Sequence, residues 1–345
     1  MLWDIFCKVI DNHGDTGVSW RLACQLARLG ETVTLWLDDA STLGWMAPLG
    51  EPGVTVRTWV AGMADGEPGD VVVEAFGCEL DAGFVAAMAA RNPRPAWINL
   101  EYLTAEGFAE RSHLLPSPVL AGPGKGLVKH FYFPGFTPRT GGVLREPGLK
   151  EQQARFGAQA WRTEHGIKAG SFLVSLFCYE PPALPALLDG LAAWPTPVQL
   201  LVTAGRAAAA IRALDWQASG NLTISFLPLM GQQQFDHLLW ACDLNLVRGQ
   251  DSLVRALLAG KPFVWNIYSQ HDGAHLAKLD AFLEWLQAPP SLAQFHAAWN
   301  DSSGALPAPD PSAWAPSAEA ARTRLLAQPD LVSQLLEFIK QPKNR

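Results

Sequence analysis

The chain has 345 residues, 49% of them apolar, and a formal net charge of -7. That length allows two domains of ordinary size with substantial cores, and the acidic balance argues against a broad polyanion-binding surface, so no nucleic-acid partner is expected. The five cysteines are widely spaced, odd in number and lack a Cys-x-x-Cys pair; with a first apolar run too short and too charged (Asp4, Lys8) for a signal peptide, and no span of roughly 18 apolar residues, they suggest a cytoplasmic protein with buried free thiols and no membrane contact.

The apolar run Trp3 to Ile10 reads as a strand and Val18 to Leu29 as an amphipathic helix. Between them lies Asp11-Asn12-His13-Gly14-Asp15-Thr16-Gly17. Strand, Gly-containing turn and helix make the first unit of a nucleotide-type fold, whose ligands sit at the carboxyl ends of the strands. This turn carries carboxylates where a phosphate-binding loop would carry glycines. Carboxylates repel phosphate; they suit a cation, a metal or a proton to be removed. Their bland alternative is turn-making beside Asn12 and Gly14.

Further strands are expected at Val33 to Leu37, Val54 to Trp59, Val71 to Glu74 and Ala96 to Leu100, with a helix at Asp81 to Ala90. Ser112 to Gly148 is rich in Pro and Gly and reads as an extended loop region; Glu151 to Glu164 reads as a linking helix. The alternation then restarts, with strands at Phe172 to Cys178, Val198 to Thr203, Leu222 to Phe226, Leu244 to Val247 and Phe263 to Ile267, and a helix at Ala183 to Ala193. Two β/α series imply an α/β protein of two doubly wound, Rossmann-like domains facing a central cleft: residues 1–150 and 151–325. In residues 326–345, the amphipathic helix Leu331 to Lys340 is expected to pack back on the first domain.

A second chemical loop, Arg248-Gly249-Gln250-Asp251-Ser252, follows the strand Leu244 to Val247. Asp251 or Ser252 can cap the next helix, and amides at its start, with Ser252, form a candidate diphosphate site. In Tyr268-Ser269-Gln270-His271-Asp272-Gly273-Ala274-His275 the histidines are four apart. The zinc-protease Glu and a third ligand are missing, so capping and core hydrogen bonding are the better reading and no metal is expected. Gly122-Pro123-Gly124-Lys125-Gly126 lacks phosphate-loop spacing, and Pro123 removes a donor; it reads as a turn. Neither Gly-x-Gly-x-x-Gly nor Gly-x-Ser-x-Gly is in place, which disfavours NAD, FAD and a serine hydrolase elbow.

Several longer words carry a resemblance. They are Asp4-Ile5-Phe6-Cys7 through Asp15-Thr16-Gly17-Val18-Ser19-Trp20-Arg21-Leu22-Ala23, Glu74-Ala75-Phe76-Gly77-Cys78, and Ile98-Asn99-Leu100-Glu101-Tyr102-Leu103. Others are Pro134-Gly135-Phe136-Thr137 with Thr140-Gly141-Gly142, and the stretch Trp240 to Leu283. On these words the chain resembles the bacterial protein-arginine rhamnosyltransferases that modify elongation factor P (the EarP family). The resemblance implies a GT-B glycosyltransferase with an N-terminal acceptor domain and a C-terminal domain holding dTDP-β-L-rhamnose. It implies transfer to arginine with inversion, no cofactor and no required metal. Asp11 and Asp15 match the family's essential aspartates, Asp15 the general base. Gly17, Phe177, Tyr179, Gln232, Phe235, Arg248, Asp251, Ser252 and Tyr268 form the implied donor-binding set. The family's word Arg-Gly-Glu-Asp-Ser has Gln250 here, a neutral amide that cannot act as a base.

Arginine is a demanding nucleophile. With a pKa of roughly 13 to 14, its deprotonation at neutral pH costs about 9 kcal/mol. A workable route lets proton loss follow N–C bond formation, with one carboxylate gripping the guanidinium and a second taking the proton. Asp11 is assigned the clamp and Asp15 the base, while Arg248 and the amides by Ser252 meet the charge growing on dTDP. Two other readings stay open: a GT-B enzyme with a different acceptor, and a dTDP-sugar-binding protein that has lost catalysis.

Overall fold

The computed structural model describes residues 1–11, 13–60, 66–217, 220–270, 272–301 and 305–341. The chain divides into two compact units, Met1–Pro147 with Gln328–Arg345, and Gly148–Ala327.

The first unit contains β1 (Leu2–Cys7), α1 (Gly14–Arg28), β2 (Thr32–Leu37), α2 (Leu43–Met46), β3 (Val54–Thr58), β4 (Val71–Ala75), α3 (Ala82–Ala90), β5 (Ala96–Leu100), α4 (Gly107–Ser112), β6 (Pro116–Pro118) and β7 (Val128–Tyr132). They form a sheet of order β3-β2-β1-β4-β5-β7-β6, parallel except for β6. Alternate residues feed two cores, as a pleated sheet covered on both faces requires. Trp3, Ile5, Cys7, Val71, Val73, Ile98 and Leu100 pack in one, and Phe6, Val72 and Trp97 in the other.

The second unit contains α5 (Leu149–Arg155), α6 (Ala158–Glu164), β8 (Phe172–Leu176), α7 (Leu184–Ala192), β9 (Val198–Val202), α8 (Arg206–Arg212), β10 (Leu222–Phe226), α9 (Gln232–Ala241), β11 (Leu244–Arg248), α10 (Gly249–Ala259), β12 (Phe263–Asn266), α11 (Ala274–Leu286), α12 (Pro290–Asp301) and α13 (Pro311–Leu326). Its sheet is parallel throughout, in the order β10-β9-β8-β11-β12. The last helix, α14 (Leu331–Lys340), belongs to the first unit. Its Leu331, Val332, Leu335, Leu336, Phe338 and Ile339 enter the core of β1 and α1, and the Tyr132 hydroxyl donates to the Leu331 carbonyl at 3.3 Å.

Each sheet is doubly wound, and each reverses strand order once. In the first, β1 leads outward to β2 and β3 while β4 starts on its other side; in the second, β8 leads to β9 and β10 while β11 starts on the other side. Ligands of such folds bind outside the strand carboxyl ends at these reversals. The loops after β1 and β4, and after β8 and β11, are therefore the places to look.

Three expectations are corrected. Ser112 to Gly148 is not one extended loop, because β6 and β7 pair antiparallel within it. Pro116 and Pro118 hid β6, yet proline is tolerated on an edge strand. The linking helix is two, α5 and α6, separated at Phe156–Gly157. Neither Asp251 nor Ser252 caps α10; the cap is Arg248, with Gly249 at φ +63, a left-handed conformation that favours glycine. All five cysteines are buried and free. Among the described residues no helix is long and apolar enough to cross a membrane.

Candidate active site

At the first reversal the chain leaves β1 and turns into α1. The Asp11 carbonyl accepts from Gly14 N–H at 2.8 Å and Asp15 N–H at 3.1 Å, which closes the turn. A Cβ on Gly14 would meet Asp11 Oδ2 at 2.8 Å, so glycine there lets the Asp11 carboxylate lie against the helix start. Asp15 Oδ2 accepts from the backbone N–H groups of Ile10 (3.0 Å) and Asp11 (2.9 Å), folding the loop over its carboxylate. Asp11 is half-buried and Asp15 only 2% exposed.

That burial sets Asp15's chemistry. Loss of solvent, with a smaller contribution from the neighbouring charges of Asp11 and Asp38, raises its pKa to about 6 against the pull of the two amides. The site holds a carboxylate that lacks solvent, sits among like charges, and ionises near neutrality. A cation bound there would relieve all of this. The helix beneath it is firmly held. Arg21, 3% exposed, makes a two-pronged ion pair with Glu146 (2.6 and 2.8 Å) and donates to the Leu144 carbonyl at 3.2 Å. Gly17 is buried in the first turn of α1, its N–H on the His13 carbonyl at 3.0 Å.

The other strands of this edge bring aromatic groups. Ala75 at the end of β4 lies opposite both Cys7 of β1 and Leu100 of β5. Just beyond, Phe76 adopts φ +59 and stacks on Tyr102, ring centroids 4.6 Å apart and planes 18° from parallel. Burial raises the Tyr102 phenol's pKa, and Asp15, Cys7, Asp11 and Glu101 add to the effect. In the sequence alone neither Phe76 nor Tyr102 signals a role, because their pairing depends on the β4–β5 register.

The second reversal is cationic and aromatic. Arg248 ends β11, is 5% exposed, and lies over the rings of Phe177 (4.7 Å) and Tyr179 (4.5 Å), which follow β8. Phe177 meets Phe235 edge-on at 5.5 Å, and Tyr179 meets Tyr268 edge-on at 5.5 Å. Phe235 stands one turn into α9, which Gln232 opens. The loop is pinned from β12, where Trp265 Nε1 donates to the Gly249 carbonyl at 2.8 Å and Asn266 Oδ1 accepts from Tyr179 N–H at 2.9 Å. Gln250 is half-buried in the first turn of α10.

Asp251 and Ser252 stand in this loop with structural partners. Ser252 is 4% exposed; its hydroxyl accepts from Arg248 N–H at 3.1 Å and donates to the Arg248 carbonyl. Asp251 accepts from Arg255 Nε at 3.1 Å, and Arg255 Nη1 reaches both Asp236 oxygens at 2.8 Å, joining α9 to α10. Arg206, absent from the sequence reading, lies over Tyr179 at 4.8 Å and pairs with Glu180. Its signal, an arginine just after the β9 turn, is too common to single out. His275 is buried and its Nδ1 accepts from Gln270 N–H at 3.1 Å; His271 lies outside the described residues.

The carboxylates of the first unit thus share one loop–helix junction, Asp11 in the loop after β1 and Asp15 in the first turn of α1. Phe177, Tyr179, Phe235, Arg248 and Tyr268 form one contact cluster in the second, with Gln232, Gln250, Asp251 and Ser252 on its flanking helices. Gly17 lies in the first unit, apart in sequence and unit from the rest of the donor set.

Comparison with known proteins gives a consistent outcome. The family described as "Elongation-Factor P (EF-P) rhamnosyltransferase EarP" matches residues 3–340. A protein-arginine rhamnosyltransferase of Pseudomonas putida is 42% identical, over 98% of both chains. One from Pseudomonas aeruginosa is 41% identical, over 97% of this chain and 98% of its own. A solved structure described as the structural basis for EarP-mediated arginine glycosylation of EF-P is similar with a TM-score of 0.67 and 30% identity, covering 99% of each chain. The calicheamicin glycosyltransferase CalG4 shares the fold, with a TM-score of 0.54 and 16% identity over 99% of this chain and 98% of its own.

Proposed function

This chain belongs to the EarP family of EF-P rhamnosyltransferases, and we propose that it moves L-rhamnose from dTDP-β-L-rhamnose to an arginine of elongation factor P, with inversion and without a metal. The observation that carries this reading is Asp15: a desolvated carboxylate, poised near neutrality, among negative neighbours, at the strand-order reversal of the first unit. A guanidinium is a cation that suits such an environment. The first unit then receives the acceptor and the second, with Arg248 and its aromatic rings, holds the nucleotide sugar.

In the step proposed, a guanidinium nitrogen attacks the anomeric carbon from the face opposite the diphosphate. The N–C bond forms, the anomeric C–O bond breaks, and its electron pair leaves with dTDP. The nitrogen's proton passes to Asp15, and the arginine keeps its single positive charge. With a pKa of about 6, Asp15 is mostly ionised at neutral pH, and accepting the proton is about 3 kcal/mol less uphill than for an ordinary aspartate. Asp11, on the same loop, grips the guanidinium fork. Arg248 meets the charge developing on the leaving diphosphate, helped by the amides of the α10 first turn.

Gln250 supports a second reading, a nucleotide-sugar-binding protein without transfer. Incubating the chain and its Gln250→Glu variant with elongation factor P and dTDP-β-L-rhamnose separates the two by the acceptor's intact mass. The first reading expects one deoxyhexose on one arginine, faster with Gln250→Glu. Transfer by that variant alone supports the second reading. No transfer by either overturns the first.

A further inference from the structure

Paired carboxylates attract any cation; they do not by themselves choose a guanidinium over an ammonium. The remaining groups at this sheet edge address that choice. Phe76 is held at φ +59, a region bulky side chains rarely enter, and a backbone outlier of this kind points to a local task. It is fixed by its N–H on the Leu100 carbonyl at 2.8 Å, and the Cys78 thiol on the Phe6 carbonyl (3.2 Å) ties the same loop to β1. The result is a ring, 8% exposed, lying flat beneath Tyr102, which is 36% exposed. One face of Tyr102 is thus propped from inside the protein while the side chain stays accessible. It stands at the carboxyl end of β5, two strands from the Asp11–Asp15 loop, and the charges of both aspartates reach its hydroxyl.

We infer that Tyr102 is a specificity-determining residue, its ring face backed by Phe76 receiving the flat face of the acceptor guanidinium while Asp11 and Asp15 take its edge. The inference rests on the arginine-acceptor reading above. Its chemistry is that of a planar, weakly hydrated cation that stacks on an aromatic face, against a compact, strongly hydrated ammonium that gains less from doing so.

The test is steady-state transfer to elongation factor P by the full chain, carried out on Tyr102→Leu, Tyr102→Met and Tyr102→Phe. Calorimetry gives the donor affinity of each variant. Inhibition by elongation factor P with its acceptor arginine replaced by lysine gives the discrimination. Leucine and methionine keep apolar contact with Phe76 but have no aromatic face, so one serves if the other fails to fold. The expected result is a roughly tenfold rise in acceptor KM for both, a narrower preference for arginine over lysine, unchanged donor affinity, and restoration of most of the lost affinity by phenylalanine. A change confined to folding would move none of these selectively. An acceptor KM and arginine preference that stay as in the parent overturn the inference, as does a phenylalanine variant as impaired as the leucine one. Failure of the parent and its Gln250→Glu form to modify elongation factor P is read separately, in the same assay, and overturns the acceptor reading itself.

Discussion

The two sheets reverse strand order in the same way, yet the loops at their reversals carry opposite chemistry. After β1 the chain presents Asp11 and Asp15, the latter buried and ionising near pH 6. At the end of β11 it presents Arg248 over two aromatic rings. The fold places a site at each reversal; the side chains decide its occupant. Carboxylates that repel phosphate suit a cationic acceptor, and a guanidinium among aromatics suits a nucleotide diphosphate. The support differs too. Asp15 is held by backbone amides of its own loop, whereas the Arg248 loop is held from β12 and its helix is cross-linked by Arg255 to Asp236.

This division breaks if either site's variants disturb the other substrate. The largest expected effect is from Asp15→Asn. The amide oxygen still accepts from Ile10 and Asp11 but takes no proton, so transfer falls by about 10³-fold while calorimetric donor affinity stays within about twofold. Arg248→Met should do the reverse, weakening donor binding by roughly 10- to 100-fold, as loss of a charge-assisted contact to the diphosphate implies; circular dichroism checks that it folds.

The pH dependence sharpens the contrast. Protonated Asp15 cannot act as base, so kcat/KM should fall about tenfold per pH unit below about 6, and this limb should be missing from the residual activity of Asp15→Asn.

Stability gives the smallest effect, with a definite sign. Asp15's folded pKa of about 6 exceeds its ordinary 3.8, so the folded state binds more protons between these values and stability falls as pH rises through that window. The burden is absent below about 4 and complete above about 6. Asp15→Asn should therefore be more stable than the parent at pH 7.5, by an order of 1–3 kcal/mol, and no more stable at pH 3.5. Thermal unfolding at the two pH values measures this.

Much of the site was legible because it lies where strong local signals meet. Buried apolar strands followed by Gly-containing turns mark β1–α1 and β11–α10, and the turn residues are the candidate chemical ones. What stayed hidden depends on pairing across the sheet. Tyr102 and Phe76 are 26 residues apart in sequence and meet only through the β4–β5 register. Ser252 reads in the sequence as a cap; its hydroxyl instead closes on Arg248's backbone four residues earlier. The β6–β7 hairpin was masked by prolines on an edge strand that needs few donors.

The most direct test of the carboxylate site is the crystal structure of Asp15→Asn, whose transfer is expected to be slowed about 10³-fold, in complex with elongation factor P and dTDP-β-L-rhamnose. The account predicts the acceptor guanidinium within hydrogen-bond reach, about 3 Å, of the side chains at positions 11 and 15, and the diphosphate against Arg248. An acceptor arginine seated away from both aspartates, with other groups at the anomeric carbon, would contradict it.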